Sequence, residues 1–287
     1  PILQVQEEED TLAAAGEAME KGELHLPLPG QRRDEIGQIV ESFNRMATGL
    51  VEKGQVEAAL SRYVPTNVAR NIVSNLEHLR LGGESVEGSV MFCDIVGYTE
   101  LSETLTPDEV GELLNEYFGY IALAGQQSHG MVDKFIGDCV MVVFGVPDQD
   151  DYHGLHAVSC AVLIQQLAER LNVHRIEKGR KPVRFRIGIS SGEMLAGNMG
   201  AEDHMQYTVV GDTVNLAARL TPLADAGGII ISQQTAHQPG VQDYVNLLKM
   251  LPIQVRGRRE PVTPYIVGSL NDRIQVGLDG LLDGILT

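Results

Sequence analysis

Cysteine is scarce in this chain, and so is basic charge. Three cysteines, Cys93, Cys139 and Cys160, are odd in number among 287 residues, and each lies in an apolar run. That pattern argues against a disulfide framework or a structural zinc site and fits a reducing, cytosolic compartment. Lys and Arg together number 22 against 39 Asp and Glu, a net charge of −17, so the surface as a whole repels nucleic acid and anionic lipid. Any phosphate site must be a local basic cluster set against that field. No apolar run approaches the ~20 residues that cross a bilayer as a helix. No basic stretch followed by an apolar core marks a signal peptide. A start at Pro1 without Met reads as a cut from a longer chain. The composition, 43% hydrophobic and 21% charged, is that of an ordinary globular chain, long enough for one large domain or two.

The first 58 residues differ from the rest. Residues 4–19 are rich in Ala and Glu and predict a helix, and a Gly- and Pro-punctuated connector follows from Lys21-Gly22 to Pro29-Gly30. Then Ile36, Ile39/Val40, Phe43, Met46/Ala47 and Leu50 recur at about 3.5-residue steps, the spacing of a coiled-coil seam. Two short helices on a connector bury little surface alone, so the seam implies a partner chain. Pro1, Leu24, Leu26 and Leu28, Asp34-Glu35-Ile36-Gly37 and Phe43-Asn44-x-Met46 together resemble a HAMP domain, the parallel helical module that follows a transmembrane helix. A generic dimerising coiled coil is the alternative. Residues 55–85 predict a further helical stretch interrupted by Pro65 and ended by Gly82-Gly83-Glu84. That triplet lacks the continuation of a GGDEF signature and reads as a helix stop and turn.

From Glu87 the pattern alternates. Apolar runs at Ser89–Cys93, Met131–Phe135, Cys139–Phe144, Phe185–Ile189, Gln206–Val210 and Ile229–Ile231 predict strands, with helices over 107–125, 153–172 and 212–224. The expectation is a sheet with helices packed on it. Only Ile136-Gly137-Asp138 separates the second and third runs, which should form a hairpin. The first strand, ending at Asp94, should lie beside it, bringing Asp94 and Asp138 to one end of one sheet. Paired carboxylates there can share a hard cation near phosphates, and Gly97 in the following loop lets backbone approach a phosphate. In Tyr207–Leu220 a strand turns at Gly211 into a helix on which Asn215 and Arg219, four apart, share a face. An amide and a guanidinium aimed one way suit a ribose oxygen and a phosphoryl group. Arg256-Gly257-Arg258-Arg259 sets three arginines in four positions of an acidic chain, as if for an anion.

The phrases MFCDIVGYT, VDKFIGDCVMVVFG and YTVVGDTVNLAARL, in that order and spacing, resemble the class III adenylate and guanylate cyclases over about residues 87–268. The resemblance implies an α+β, ferredoxin-like βαββαβ catalytic domain. It implies two divalent cations, Mg2+ or Mn2+, on Asp94, Asp138 and the carbonyl of Ile95. Lys134 and Thr208 would read the purine edge, Asn215 would orient the ribose, Arg219 would stabilise the transition state, and Arg256 would meet the triphosphate. Lys with Thr, where guanylate enzymes carry an acidic residue and Cys, argues for ATP as substrate and cyclic AMP as product. The Thr is similar to that of the subgroup including bicarbonate-responsive soluble cyclases, which raises bicarbonate sensitivity as a question. The resemblance also implies a homodimer with active sites shared across the interface.

One departure stands out. The loop before the Tyr207 strand carries only His204 where relatives have a basic residue, leaving Arg184 or Arg186 as the available cations. No motif assigns His129, His153, His156 or His204 as a base. His153 and His156, near Asp148, Asp150 and Asp151, read as a hydrated helix start in preference to a zinc site. The resulting domain expectation is 1–58 HAMP-like, 59–86 helical linker, 87–268 catalytic domain and 269–287 tail. The whole would be a cytoplasmic portion of a protein anchored in the cell membrane by a segment before residue 1. A guanylate cyclase and a catalytically silent nucleotide-binding module are the alternatives.

Overall fold

The structure, a computed structural model, describes residues 35–60, 68 and 81–286. The chain divides into two compact units, Pro1–Leu79 and Arg80–Thr287. The expected helix over 4–19, the connector with its leucines, and residues 61–80 of the expected helical stretch 55–85, apart from Val68, lie outside the described residues. In the first unit α1 spans Glu35–Leu60. The expected seam splits across it. Val40 and Ala47, one heptad apart, are buried, while Ile39, Met46 and Leu50 are exposed along a second stripe.

The second unit is an eight-stranded, mostly antiparallel sheet with helices on it. Its strands are β1 (Gly82–Ile95), β2 (Gly130–Ile136), β3 (Cys139–Phe144), β4 (Phe185–Ala201), β5 (His204–Val210), β6 (Ile229–Ile231), β7 (Val245–Lys249) and β8 (Tyr265–Leu270). The order is β2-β3-β1-β4-β6-β8-β7, with β5 paired to the far half of β4. Only β4 and β6 run parallel. The chain order β1–helix–β2–β3–helix–β4 is the expected βαββαβ core. Gly82–Glu84 corrects the expected helix stop: these residues open β1 and pair with Ala196–Asn198 of β4. Gly83 stands opposite Gly197, so two bare backbones extend the ladder beyond the apolar run that marked the strand.

Alternation along the central strands sends side chains to two cores. Met91, Cys93, Ile95, Val140, Val142, Ile187 and Ile189 meet the two long helices, α3 (Pro107–Gln127) and α4 (His153–Glu177). Thr106 starts α3 with a capping box, its side chain accepting from Glu109 N–H and Glu109 reaching back, with Pro107 in the first turn. Between β1 and α3 lies the short α2 (Tyr98–Ser102). On the other face, Val90, Phe92, Met141, Val143, Met194 and Val209 meet Ala217 of α5 (Asp212–Leu220). Two short helices follow, α6 (Gln233–Ala236) and α7 (Val241–Tyr244). Residues 272–286, expected as a tail, form α8 (Asp272–Leu286), with Leu278 and Leu282 buried in the first core.

Gly188 in β4 fixes how close α5 lies to the sheet, since an added Cβ would sit 2.4 Å from Thr221 N and 2.6 Å from Ala217 O. Those are backbone atoms, which cannot swing aside. Gly188→Ala should destabilise the domain by about 1–3 kcal/mol, read as a lower urea midpoint at constant slope. It should also displace the helix that carries Asn215 and Arg219. An unchanged midpoint would show that α5 is free to shift.

Candidate active site

Asp94 is the penultimate residue of β1, and Asp138 closes the Gly137-Asp138 turn between β2 and β3, Gly137 adopting φ 64°. Because β1 pairs with β3 (Cys93 opposite Val140), the two carboxyls come to one sheet end. They touch: burial raises the Asp138 acid range, and the neighbouring Asp94 charge raises it further. Main-chain N–H groups of Ile95 and of Asp138 itself partly offset this. The Cys139 thiol beside them is pushed up to about 12, by burial first and then by both carboxylates. Arg186, directly across the ladder from Asp94, donates from Nε (2.7 Å) and Nη2 (2.5 Å) to Oδ2 alone. Arg184, the other candidate, is exposed on the adjoining loop. Gly97, two residues past Ile95, is exposed in the left-handed region (φ 70°) at the start of α2.

Lys134 and Thr208 come together from β2 and β5, Nζ donating to Oγ1 at 3.0 Å. A third residue, missed in the sequence, joins them. Asp133 Oδ2 accepts from the Thr208 hydroxyl at 2.9 Å and lies 3.2 Å from Lys134 Nζ, and its side chain is wholly buried. The ladder explains the cluster. Met131 pairs with Val143, Val132 with Val142 and Lys134 with Met141, so Asp133 is the extra residue of a β-bulge. Without the bulge a strict alternation would turn Lys134 to the opposite face.

Asn215 is exposed on α5 and Arg219 is half-buried one turn on. The Arg219 guanidinium lies against the late basic loop, since a Cβ on Gly257 (φ 80°) would come within 3.1 Å of Nη2. Arg258 binds Asp212 at the start of α5 and so pins that loop to the helix, leaving Arg256 exposed. The structure therefore gathers the expected residues into three groups: Asp94 with Asp138 and Arg186, Lys134 with Thr208 and Asp133, and Asn215 and Arg219 with the 256–258 loop.

The histidine expectation needs correction. His153 is not hydrated: it is buried, its Nδ1 2.8 Å from Ser89 Oγ, which in turn contacts Ser191. Burial lowers its pKa. His156 pairs with Asp150 at 2.6 Å. His204 is exposed at the first position of β5.

Do these residues fit a divalent cation? Two carboxylates pressed together, with one guanidinium on a single oxygen, form an oxygen-only donor set carrying excess negative charge, which suits a hard cation. Among the described residues no group of three or more His, Cys, Asp or Glu could close a cage. That leaves coordination positions for water and phosphate oxygens, as Mg2+ prefers.

A family model for the adenylate and guanylate cyclase catalytic domain matches residues 84–269, and one for the HAMP domain matches 10–52. An uncharacterized protein of Mycobacterium tuberculosis is 32% identical over 251 residues, 87% of this chain and 44% of that protein. The chain thus spans less than half the length of such curated relatives. Among solved structures, the adenylyl cyclase CyaB from P. aeruginosa is 35% identical with a TM-score of 0.64, covering 67% of this chain and 98% of that one. The guanylyl cyclase Cya2 is 33% identical with a TM-score of 0.61, covering 67% and 96%.

Charge at the carboxylate pair makes a direct prediction. Mn2+ or Mg2+ should raise the melting temperature of the chain, because a ligand that binds only the folded state stabilises it. Asp94→Asn and Asp138→Asn should each abolish that rise. In EDTA, Asp138→Asn should melt no earlier than the parent, since it relieves like-charge crowding, whereas Asp94→Asn also weakens the Arg186 pair. A full cation-dependent rise in either variant would contradict the assignment.

Proposed function

Because the chain belongs to the adenylate and guanylate cyclase catalytic-domain family, with a HAMP domain ahead of it, we propose that it is an adenylate cyclase forming 3′,5′-cyclic AMP and pyrophosphate from ATP. The observation that carries this reading is the Lys134–Thr208 contact at 3.0 Å, which joins a donor and a hydroxyl in one recognition unit. Adenine offers a ring acceptor to the Lys and an exocyclic amine to the Thr. Guanine presents the opposite pattern.

In this reading the ribose 3′-oxygen attacks the α-phosphorus in line and the pyrophosphate oxygen leaves. Asn215 holds the ribose, and Arg219 donates to the phosphoryl oxygens as charge develops on them. Packing of the 257 loop against its guanidinium limits the rotamers Arg219 can adopt. Arg256 on that loop meets the triphosphate. Arg186 spends two N–H groups on Asp94 and keeps the others for a phosphoryl oxygen, which compensates for the lack of a cation beyond His204. Asp94 and Asp138, with the main chain of Ile95, would hold two divalent cations. When bound, these supply a lowered pKa at the 3′-hydroxyl and charge neutralisation at the leaving oxygens.

Each site is proposed to form between two copies of the chain. Phe135 and Ile136, both 50% exposed, sit at the tip of the β2–β3 hairpin, with Leu195 and Val210 exposed on β4 and β5. Such apolar side chains beside recognition residues favour coverage by a partner. The exposed stripe of Ile39, Met46 and Leu50 on α1 suits the same symmetric pairing. We propose that the HAMP unit, 1–58, relays a signal through 59–86 to the catalytic unit, 87–268, from a membrane-anchored segment ahead of residue 1. Among the described residues no helix is long and apolar enough to cross a membrane.

Purified chain given ATP or GTP, with Mg2+ or Mn2+, should release cyclic AMP in clear preference to cyclic GMP. Lys134→Glu with Thr208→Cys should lower kcat/KM for ATP by at least tenfold, roughly the worth of one hydrogen bond to a charged group, and bring GTP closer to parity. Preferential release of cyclic GMP by the parent would make the chain a guanylate cyclase. Turnover of neither nucleotide would favour a silent binding module.

A further inference from the structure

We propose that Asp133 is the residue that makes Thr208 select adenine. The proposal rests on the adenylate reading above and adds a positioning residue to it.

A threonine hydroxyl carries one proton and two lone pairs, so alone it can donate to guanine O6 as readily as it accepts from the adenine amine. Its surroundings here remove that freedom. Lys134 Nζ can only donate, and it does so to Thr208 Oγ1 at 3.0 Å. Burial raises the acid range of Asp133, while the Thr208 hydroxyl and the Lys134 ammonium 3.2 Å away favour its charged form. Ionised, it can only accept, and it takes the Thr208 proton on Oδ2 at 2.9 Å. One lone pair of Thr208 is left, and it can only accept. A base facing it must bring a donor, which adenine has at N6 and guanine lacks at O6. Lys134 points the same way, since an ammonium wants the N1 acceptor of adenine and opposes the N1–H of guanine.

Two further observations favour this role over a chance contact. The Asp133 side chain is wholly buried, and its Oδ1 has no hydrogen-bond partner among the described residues. Burying a carboxylate with half its acceptors unmet is costly, so a merely structural site would be better served by a neutral residue. The bulge of β2 also places Asp133 and Lys134 together toward Thr208, where a regular strand would have separated them. Thr208 and Asp133 thus act as one composite acceptor. The second acceptor in reach of the Thr208 hydroxyl is Val209 O, at 3.5 Å. That bond is too long to hold the proton once Asp133 is gone.

The test is the ratio of kcat/KM for ATP to that for GTP. In Asp133→Asn the carboxamide can donate to Thr208 Oγ1 and turn its proton toward the base. The ratio should fall about ten- to a hundredfold, with GTP turnover held or raised while ATP turnover drops. Asp133→Ala, which removes both oxygens, should change the ratio in the same direction and serves if the Asn variant does not fold. In a Thr208→Val background, where no hydroxyl remains to be oriented, Asp133→Asn should leave the ratio where Thr208→Val put it. Equal losses for both nucleotides in Asp133→Asn, alongside a collapsed ratio in Thr208→Val, would overturn the role of Asp133 and leave the base-reading role of Thr208 standing. An unchanged ratio in Thr208→Val as well would overturn the base-reading role of Thr208 and Asp133 together, whereas a parent ratio that favours GTP would overturn the adenylate reading itself.

Discussion

Two carboxylates are held in contact at the end of the central strands, and most of the catalytic unit serves to put them there. Asp94 arrives on β1 and Asp138 on the short turn between β2 and β3, and antiparallel pairing of β1 with β3 brings them to one sheet end. Protein groups relieve the crowding only in part. Arg186 answers one oxygen of Asp94, main-chain N–H groups answer Asp138, and Asp138 still holds its proton above the usual carboxylate range. Such a pair has the charge and the oxygen donors that would suit the proposed cations.

The remaining chemistry is arranged by opposite means. Lys134, Asp133 and Thr208 bond to one another but leave Asp133 Oδ1 without a partner among the described residues, and in the proposed reading they serve discrimination more than charge. Asn215 and Arg219 stand on the outer face of α5, braced by the Arg258–Asp212 pair and the Gly257 turn. Each group is rigid in its own way: the first by ladder register, the second by a bulge, the third by close packing of α5 on Gly188. Exposed apolar side chains beside them, including Phe135 and Ile136, are what the proposed second copy would cover. A two-fold pairing would do so twice over, giving two equivalent sites.

Legibility in the sequence followed the range of the interactions. The meeting of Asp94 and Asp138 at one sheet end was readable because an apolar run ending in Asp and a Gly-Asp turn are local signals. The α5 pair was readable from helical spacing. His153 was misjudged because its partner Ser89 is 64 residues away on β1, while His153 opens α4. Asp133 was invisible for a related reason: strict alternation over Met131, Asp133 and Phe135 hides a bulge, which only the register with β3 reveals. The C-terminal α8 did carry a signal, since Ile274, Leu278, Leu281/Leu282 and Ile285 recur at helical spacing, but its short length and terminal place disguised a docked helix as a tail.

A shared site across a symmetric interface is the claim on which the functional account turns, and subunit mixing measures it directly. Asp94→Ala removes one carboxylate and Asn215→Ala removes the ribose contact, so each homodimer should be nearly inactive. In a mixed dimer one site carries both lesions and the other carries neither. Random exchange makes about half of all dimers mixed, each with one intact site of two, so cyclic AMP formation should recover to at most roughly a quarter of the parent rate. A mixture that stays as inactive as its components, after subunit exchange has been demonstrated, would contradict the account and require each chain to build its site alone.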